Sequence, residues 1–485
     1  MNKIVLTTIN AKWIHPSLAL RLLKANLGSL EDSCEIIEFA LRQPLAEKVE
    51  PLLAANPRIL GVSVSIWNHL ATIELLKEIF KSEKPVIILG GPEVSHLPED
   101  AEIFNYADYV IRGEGEIAFR QLCEKILAGE QAGNKFINAE NVNVCEIKTA
   151  YHLYTDEDVT KKLIYVESSR GCPFNCDFCL SAVKTGSSEK NNAVREFPLE
   201  PFLAEMDTLI QRGVKTFKFL DRTFNINLNR SLQIIEFFLK KIIRDNQEGN
   251  LRHANLQFDG SVEVPRKSAD PSLPFVVHFE MVPSLFPSQL NEALTRFPPG
   301  TLRLEIGIQT LNPEVAARIK LPGRERCLNP ENDLKTLRFL RDKTNAIIHA
   351  DLIAGLPGED MASFGRGFDN LWSALCADNT EIQLGILKLL PGAPIACYNE
   401  EFCMRYNPLP PYEIEETSSI CASDLQRIKN FARFWELIVN RGLINVENKP
   451  VFDNFLTLSD RLFAHFGRNW GISRAELMEK ITCFM

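Results

Sequence analysis

The chain has 485 residues, 45% of them hydrophobic and 24% charged, with a formal net charge of −9. Such a length calls for two or three domains with separate cores, and the mild acidity argues against broad electrostatic binding to nucleic acid. No uninterrupted apolar run is long enough to span a bilayer, and Met1 to Thr8 reads as a first strand rather than a signal peptide, so a cytoplasmic location is the default expectation.

Up to about residue 140, short apolar runs alternate with amphipathic stretches. Strands are expected at Ile4–Thr8, Cys34–Phe39, Ile59–Val64, Val86–Leu89 and Tyr109–Ile111, and helices at Ser17–Leu27, Ala71–Phe80 and Glu116–Leu127. This alternation predicts a doubly wound parallel sheet, which binds ligands beyond the carboxyl ends of its strands. The loops there are Ser65-Ile66-Trp67-Asn68, Gly90-Gly91-Pro92-Glu93 and Gly113-Glu114-Gly115-Glu116, with glycines that let backbone approach a large ligand. Residues 141–162 look polar and irregular and read as a linker.

A second alternating region, 163–396, follows. Its strands are expected at Ile164–Glu167, Thr216–Leu220, Phe275–Glu280, Leu302–Ile308, Ile347–Ile353 and Ile382–Leu387. Helices fall at Leu199–Gln211, Arg230–Ile243, Pro287–Arg296, Leu334–Lys343 and Met361–Leu375. About six β/α units predict a partial or full β/α barrel with its chemistry at the C-terminal strand ends. From 397 to 485 the strand pattern is lost and a helical region is expected, with Tyr398, Tyr406, Tyr412 and Trp435 placed to cap the barrel or pack it.

Nine of the twelve cysteines (Cys34, Cys123, Cys145, Cys327, Cys376, Cys397, Cys403, Cys421 and Cys483) show no paired spacing and read mostly as buried, reduced residues. The other three stand together in Glu167-Ser168-Ser169-Arg170-Gly171-Cys172-Pro173-Phe174-Asn175-Cys176-Asp177-Phe178-Cys179. Cys172, Cys176 and Cys179 in one loop suit three irons of a [4Fe–4S] cubane, leaving the fourth iron open to S-adenosylmethionine (SAM), with Phe178 as a wall against water. Structural zinc is the competing reading, but it wants a fourth ligand that this stretch lacks.

The CxxxCxxC loop with an aromatic before its last cysteine resembles the radical SAM superfamily, and the likeness extends over the second region. Thr216 to Asn225, including Asp221, resembles the segment beside the SAM methionine group. Glu305 to Asn312 is similar to the "GxQS" strand end, with Thr310 for Ser. Asp351 to Glu359 resembles the adenine-lining segment, and Leu387 to Pro394 the closing strand. The resemblance implies SAM contacts at Asp221, Glu280, Gln309, Ile353 and Leu356, although core packing explains Ile353 and Leu356 equally well. Where relatives place an arginine for the SAM carboxylate, this chain has Leu321, flanked by Arg318 and Arg324.

A doubly wound domain ahead of such a barrel resembles the cobalamin-binding radical SAM class. The resemblance implies cobalamin contacts at Ser65, Trp67, Asn68, Gly90, Gly91, Glu93, Gly113, Glu114 and Gly115, with simple packing the alternative for Trp67. The DxHxxG loop of the more familiar cobalamin fold is absent; His15, in Lys12-Trp13-Ile14-His15-Pro16-Ser17, reads as a capping or packing residue. The expected activity is reductive SAM cleavage, with electrons from an external donor of flavodoxin or ferredoxin type, and methylation of an unactivated carbon. A small molecule or peptide is the expected substrate, with no membrane or nucleic-acid partner. A cobalamin-using cyclase, oxidase or rearrangement enzyme, or a non-catalytic iron–sulfur sensor, stand as alternatives. So does a first domain that binds no ligand.

Overall fold

The computed structural model describes residues 3–81, 85–130, 133–183, 193–247, 275–323, 329–444 and 451–484. Cys327 and Arg324 lie outside the described residues. No described helix is long and apolar enough to cross a membrane.

The first sheet is parallel throughout, in the order β2-β1-β3-β4-β5-β6: β1 (Ile4–Asn10), β2 (Cys34–Ala40), β3 (Ile59–Ser63), β4 (Val86–Gly90), β5 (Tyr109–Arg112) and β6 (Phe136–Asn138). The chain turns outward from β1 to β2 and then inward to β3, so the switch point lies between β1 and β3. Alternate residues feed two cores. Val5, Leu60, Ile87, Leu89 and Val110 enter one, and Ile4, Leu6, Ile59, Ile88 and Ile111 enter the other. Helices α1 (Leu18–Ala25), α2 (Leu45–Ala55), α3 (His69–Ile79) and α4 (Gly115–Ala128) cover the two faces. α2 and β6 carry too weak a period to be legible in sequence; α2 has Pro51 inside it and β6 is three residues long.

The segment read as a polar linker is packed instead. Val142, Val144 and Ile147 close a small core with Phe197, while Tyr151, Tyr154 and Val159 enter the main one. A capping box of Thr155 and Asp158 starts the short helix α5 (Asp156–Lys161). Its apolar residues are set singly among polar ones, so no period betrays them, yet each fills a fixed pocket.

The second sheet runs in simple order: β7 (Ile164–Val166), β10 (Thr216–Phe219), β11 (Val276–Met281), β12 (Leu302–Gln309), β13 (Ile347–Ala354) and β14 (Thr380–Ile386), all parallel. A two-stranded patch, β8 (Ser169–Arg170) with β9 (Arg195–Glu196), stands beside it. The connecting helices are α6 (Leu199–Gln211), α7 (Leu228–Gln247), α8 (Ser288–Thr295), α9 (Pro313–Arg318), α10 (Glu331–Lys343) and α11 (Met361–Leu375). β7 and β14 do not pair, so the barrel is partial and open between them.

Strict alternation in β12 and β13 sends Leu302, Leu304, Ile306, Ile348, Ala350 and Leu352 under the helices. The opposite face carries Arg303, Glu305, His349 and Asp351.

Beyond 396 the chain is not wholly helical. A small hairpin, β15 (Arg405–Tyr406) with β16 (Ile414–Glu416), precedes α12 (Ala422–Trp435), α13 (Phe452–Phe466) and α14 (Arg474–Phe484). Strands of two and three residues are too short to show alternation. Phe368, Phe431, Trp435, Phe452 and Phe455 interlock to seat these helices on α11. Among the described scattered cysteines Cys34 and Cys123 are buried, but Cys145, Cys397, Cys403, Cys421 and Cys483 are exposed, against the expectation of burial. All described cysteines are free thiols.

Candidate active site and cofactor groove

The strand end of β7 leads directly into the cysteine loop. Cys172, Cys176 and Cys179 all line one cavity of about 230 Å³, with Phe178, Arg222, Glu280, Gln309 and Asp351 also on its wall. No three Cys, His, Asp or Glu donors among the described residues converge on a position for a single ion. Three thiols of one loop on a single cavity wall fit a cluster in which each thiolate takes a different iron.

Asp177 anchors this loop, a role that sequence reading missed. It is fully buried, and its carboxylate accepts from Lys320 Nζ at 2.8 Å and from Tyr398 OH at 2.9 Å. Tyr398 therefore ties the C-terminal region to the loop. The adjacent aromatic pattern drew attention to Phe178 and away from the acid before it.

The barrel wall facing the cysteines is crowded with charge. Glu305 Oε2 lies 3.3 Å from Lys218 Nζ and 3.3 Å from His278 Nε2. Burial alone would push Glu305 up, but His278 and Lys218 hold it at about 2. Its neighbours feel that charge. Burial, then Glu305, lifts Glu280 to about 7, and burial, then Glu305 and Glu280, lifts Asp351 to about 8. Asp351 Oδ1 is buried without a hydrogen-bond partner. A hydroxyl or ammonium donor reaching this wall would satisfy it.

Gln309 ends β12 with φ of +68° after a register shift at Gly307, an unfavourable backbone for a non-glycine residue. This bend turns its side chain into the cavity. Beyond it, Thr310 Oγ1 donates to Glu359 Oε1 at 2.7 Å, joining the "GxQS"-like end to the segment after β13. Burial holds Glu359 at about 7.

Not every expected SAM contact reaches the cavity. Asp221 is buried behind it, accepting from Ser168 N, Ser168 Oγ and Ser169 Oγ at 2.6–2.9 Å. Leu356 is fully buried in the main core and Ile353 packs beside it. Arg318 donates to Pro357 O at 2.7 Å and stacks on Phe402. Arg222, next to Asp221, is the described arginine that lines the cavity.

A second cavity, of about 380 Å³, opens beyond β3, β4 and β5 of the first sheet. Gly90, Gly91, Gly113, Glu114 and Gly115 line it, as does Glu116. Its floor includes Gly61, where a Cβ would stand 2.7 Å from Leu6 Cδ2 and 3.0 Å from Phe119 Cζ and would push both side chains aside. At Gly113 the φ of +95° and the Ala139 carbonyl, 2.8 Å from where a Cβ would stand, impose the same choice. A narrow glycine-lined groove at the strand ends fits a slender nucleotide tail.

Ser65, Trp67, Asn68 and Glu93 lie outside the lining of this groove. Asn68 is buried, accepting from Ser65 N at 2.8 Å and donating to Ile9 O at 3.0 Å. Glu93 bridges His69 and Tyr412 at 2.8 and 2.6 Å, and Trp67 is exposed. His15 turns away from the groove. Its Nδ1 is 2.7 Å from Tyr165 OH on β7, and burial, helped by Lys12 and Lys218, holds it near 4.

The groove runs up to the start of the cysteine loop. Arg170, two positions before Cys172, walls the groove. Its guanidinium pairs with Glu116 and Glu167, each at 2.7 Å, while Arg195 pairs with Glu114 at 2.6 Å.

Residues 4–123 match the B12 binding domain model and residues 166–368 match the Radical SAM superfamily model. The chain is a radical SAM protein with a B12-binding domain. TokK of Streptomyces tokunonensis, described as a cobalamin-dependent radical SAM methyltransferase, is 22% identical over 73% of this chain and 50% of its own length. An uncharacterized methyltransferase of Pyrococcus horikoshii is 28% identical over 37% of this chain and 42% of its own. The chain thus spans half or less of these relatives. In fold, the B12-binding radical SAM chain is similar to OxsB, described as a cobalamin-dependent SAM radical enzyme (TM-score 0.64, 15% identity, 96% of this chain and 71% of that one). It is also similar to the radical SAM methyltransferase TsrM of Kitasatospora setae (TM-score 0.59, 17% identity, 84% and 79%).

Proposed function

We propose that this chain is a cobalamin-dependent methyltransferase acting on an unactivated carbon. The observation that carries the reading is how near the two linings run along the chain: Arg170 and Leu220 wall the glycine-lined groove, and Cys172 and Arg222, each two residues further on, wall the cysteine cavity. When bound, the cluster supplies an electron for reductive cleavage of SAM and cobalamin supplies a transferable methyl group.

The chain's own residues hold, orient and shield. Cys172, Cys176 and Cys179 are the cluster ligands, and Asp177 with Tyr398 fixes their loop. Glu280, Gln309 and Asp351 face the same cavity and accept hydrogen bonds from a bound nucleoside. Glu280 and Asp351, lifted by burial, keep protons near neutrality and so add little charge to the cavity. Phe178 on the cavity wall excludes water. On the first domain, Gly90, Gly91, Gly113 and Gly115 admit the cobalamin tail, and Glu114 and Glu116 bond to its amides or hydroxyls. A one-electron donor of flavodoxin or ferredoxin type and a cytoplasmic setting complete the reading, in keeping with the free thiols.

The test is anaerobic reconstitution with iron, sulfide and hydroxocobalamin, followed by reduction with SAM present. Stoichiometric corrinoid absorption and 5′-deoxyadenosine formation are expected. Cys176→Ala should abolish 5′-deoxyadenosine while leaving corrinoid binding intact. A reconstituted, folded chain that cleaves no SAM points instead to the sensor reading.

A further inference from the structure

The largest cavity among those described, about 780 Å³, belongs to neither cofactor site. It runs along the free edge of β14, between that strand and the C-terminal helices, with Lys12 of the first domain at its rim. A bare strand edge exposes unpaired backbone groups. Here Asn440 covers part of it, donating to Ile382 O at 3.0 Å and accepting from Ile382 N at 3.3 Å, while the rest of the edge remains open to the cavity.

Its charge runs against the acidic chain. Lys12, Lys429, Arg433, Arg441 and Arg474 line it, from the first domain, α12 and its continuation, and the start of α14, against three carboxylates. Each carboxylate already faces a partner: Glu413 with Lys429 at 3.1 Å, Glu436 with Arg441 at 3.3 Å, and Glu381 with His349 at 3.0 Å. Two arginines are left uncommitted. Among the described residues Arg474 has no ion pair or hydrogen bond, and Arg433 donates only through Nε, to Asn469 O at 3.3 Å. Between the cations the wall is apolar, built by Leu384, Ile386 and Leu437.

The cavity also lies next to the chemistry. His349 lines it, and Asp351, two residues on along the same face of β13, lines the cysteine cavity. That step is about 7 Å. Gln383, the register partner of Asp351, lines the edge cavity as well.

We propose that this cavity binds the distal part of an elongated substrate, an anionic head (phosphate or carboxylate) on an apolar body. The assignment rests on the methyltransferase reading, because it takes the reacting carbon to lie at the cysteine cavity. Arg433 and Arg474 hold the head, and the β14 edge and Leu437 hold the body. Charge-assisted contacts from guanidinium groups are the strong ones for such anions.

The experiment is calorimetric titration of the cluster-loaded full chain with octyl phosphate. Nonanoate serves as the carboxylate arm and octyltrimethylammonium as a cation with the same kind of body. One anion per chain is expected to bind and the cation is not; whichever anion binds tighter names the head. Arg474→Gln, at an exposed side chain that leaves the fold intact, should weaken binding about three-fold or more. Arg433→Gln with Arg474→Gln should weaken it about ten-fold or more. Absence of saturable anion binding, equal binding of the cation, or unchanged affinity in both variants overturns the assignment. 5′-deoxyadenosine is measured on the same samples. Binding lost while SAM cleavage persists rejects this cavity alone, whereas binding retained without SAM cleavage rejects the functional reading.

Discussion

The molecule holds two parallel sheets of six strands, and they solve opposite problems. The first is sandwiched between two apolar cores, so its central strands β1, β3 and β4 are mostly buried and its groove opens at the loops beyond the strands. The second is apolar on one face only. Its inner face carries Lys218, Glu280, Glu305 and Asp351, charged groups that stand on the strands themselves. A sheet that binds at its end needs glycine and close approach. A sheet that binds on its face needs charge, and each charge needs a neighbour.

The sharpest way to break this contrast is to cut the link between the two sheets. Arg170→Gln would leave Glu167 and Glu116 buried without their shared cation. Stability should fall by about 3–5 kcal/mol, the usual cost of stranding one side of a buried ion pair. Denaturant unfolding followed by circular dichroism would read it, and a loss under about 1 kcal/mol would mean that the domains are joined elsewhere.

A second test sharpens the charged face. Burial lifts Asp351 to about 8, so the folded chain holds that proton more tightly than the unfolded chain does. The associated stability is complete below the ordinary carboxylate range and is lost as pH rises towards about 8. Glu305, held at about 2, acts oppositely, and its contribution is lost as pH falls towards that value. Asp351→Asn should therefore flatten the decline in stability between about pH 5 and about pH 8, an effect of a few kcal/mol at most. An unchanged slope would mean that another group carries the titration.

The smallest effect belongs to the glycine-built end of the first sheet. Gly113→Ala sets a Cβ against the Ala139 carbonyl at a positive φ. It should cost about 1–3 kcal/mol of stability and weaken corrinoid binding, with SAM cleavage unaffected. Spectroscopic titration with hydroxocobalamin reads the affinity; full affinity would place the tail elsewhere.

How much of this was legible beforehand follows the same contrast. All strands of the two six-stranded sheets except β6 announced themselves, because β-branched runs such as Ile4 to Asn10 and strict alternation such as Leu302 to Gln309 are strong local signals. The cysteine triplet was legible because its three members stand within eight residues of one another. What stayed hidden depends on meetings between distant residues. Asp177 gains its role only when Lys320 and Tyr398 arrive from 143 and 221 residues away. Asn68 and Glu93 looked like ligand contacts because they follow strands, yet the structure turns both to hold loops together. The packed segment 141–162 was misread because isolated apolar residues carry no period.

The turn after β1 reaches across to the barrel. Its Lys12 end borders the β14 edge, while Ile14 O accepts from Leu163 N at 3.1 Å and His15 meets Tyr165 on β7. A piece of one domain thereby bridges the open flank of the other. The two halves are consequently poor candidates for free exchange in a chimera. A foreign first domain would import its own turn, and with it a different stopper for the barrel. Grafts that carry residues 11–17 along with the recipient barrel should fold where clean swaps at residue 140 aggregate.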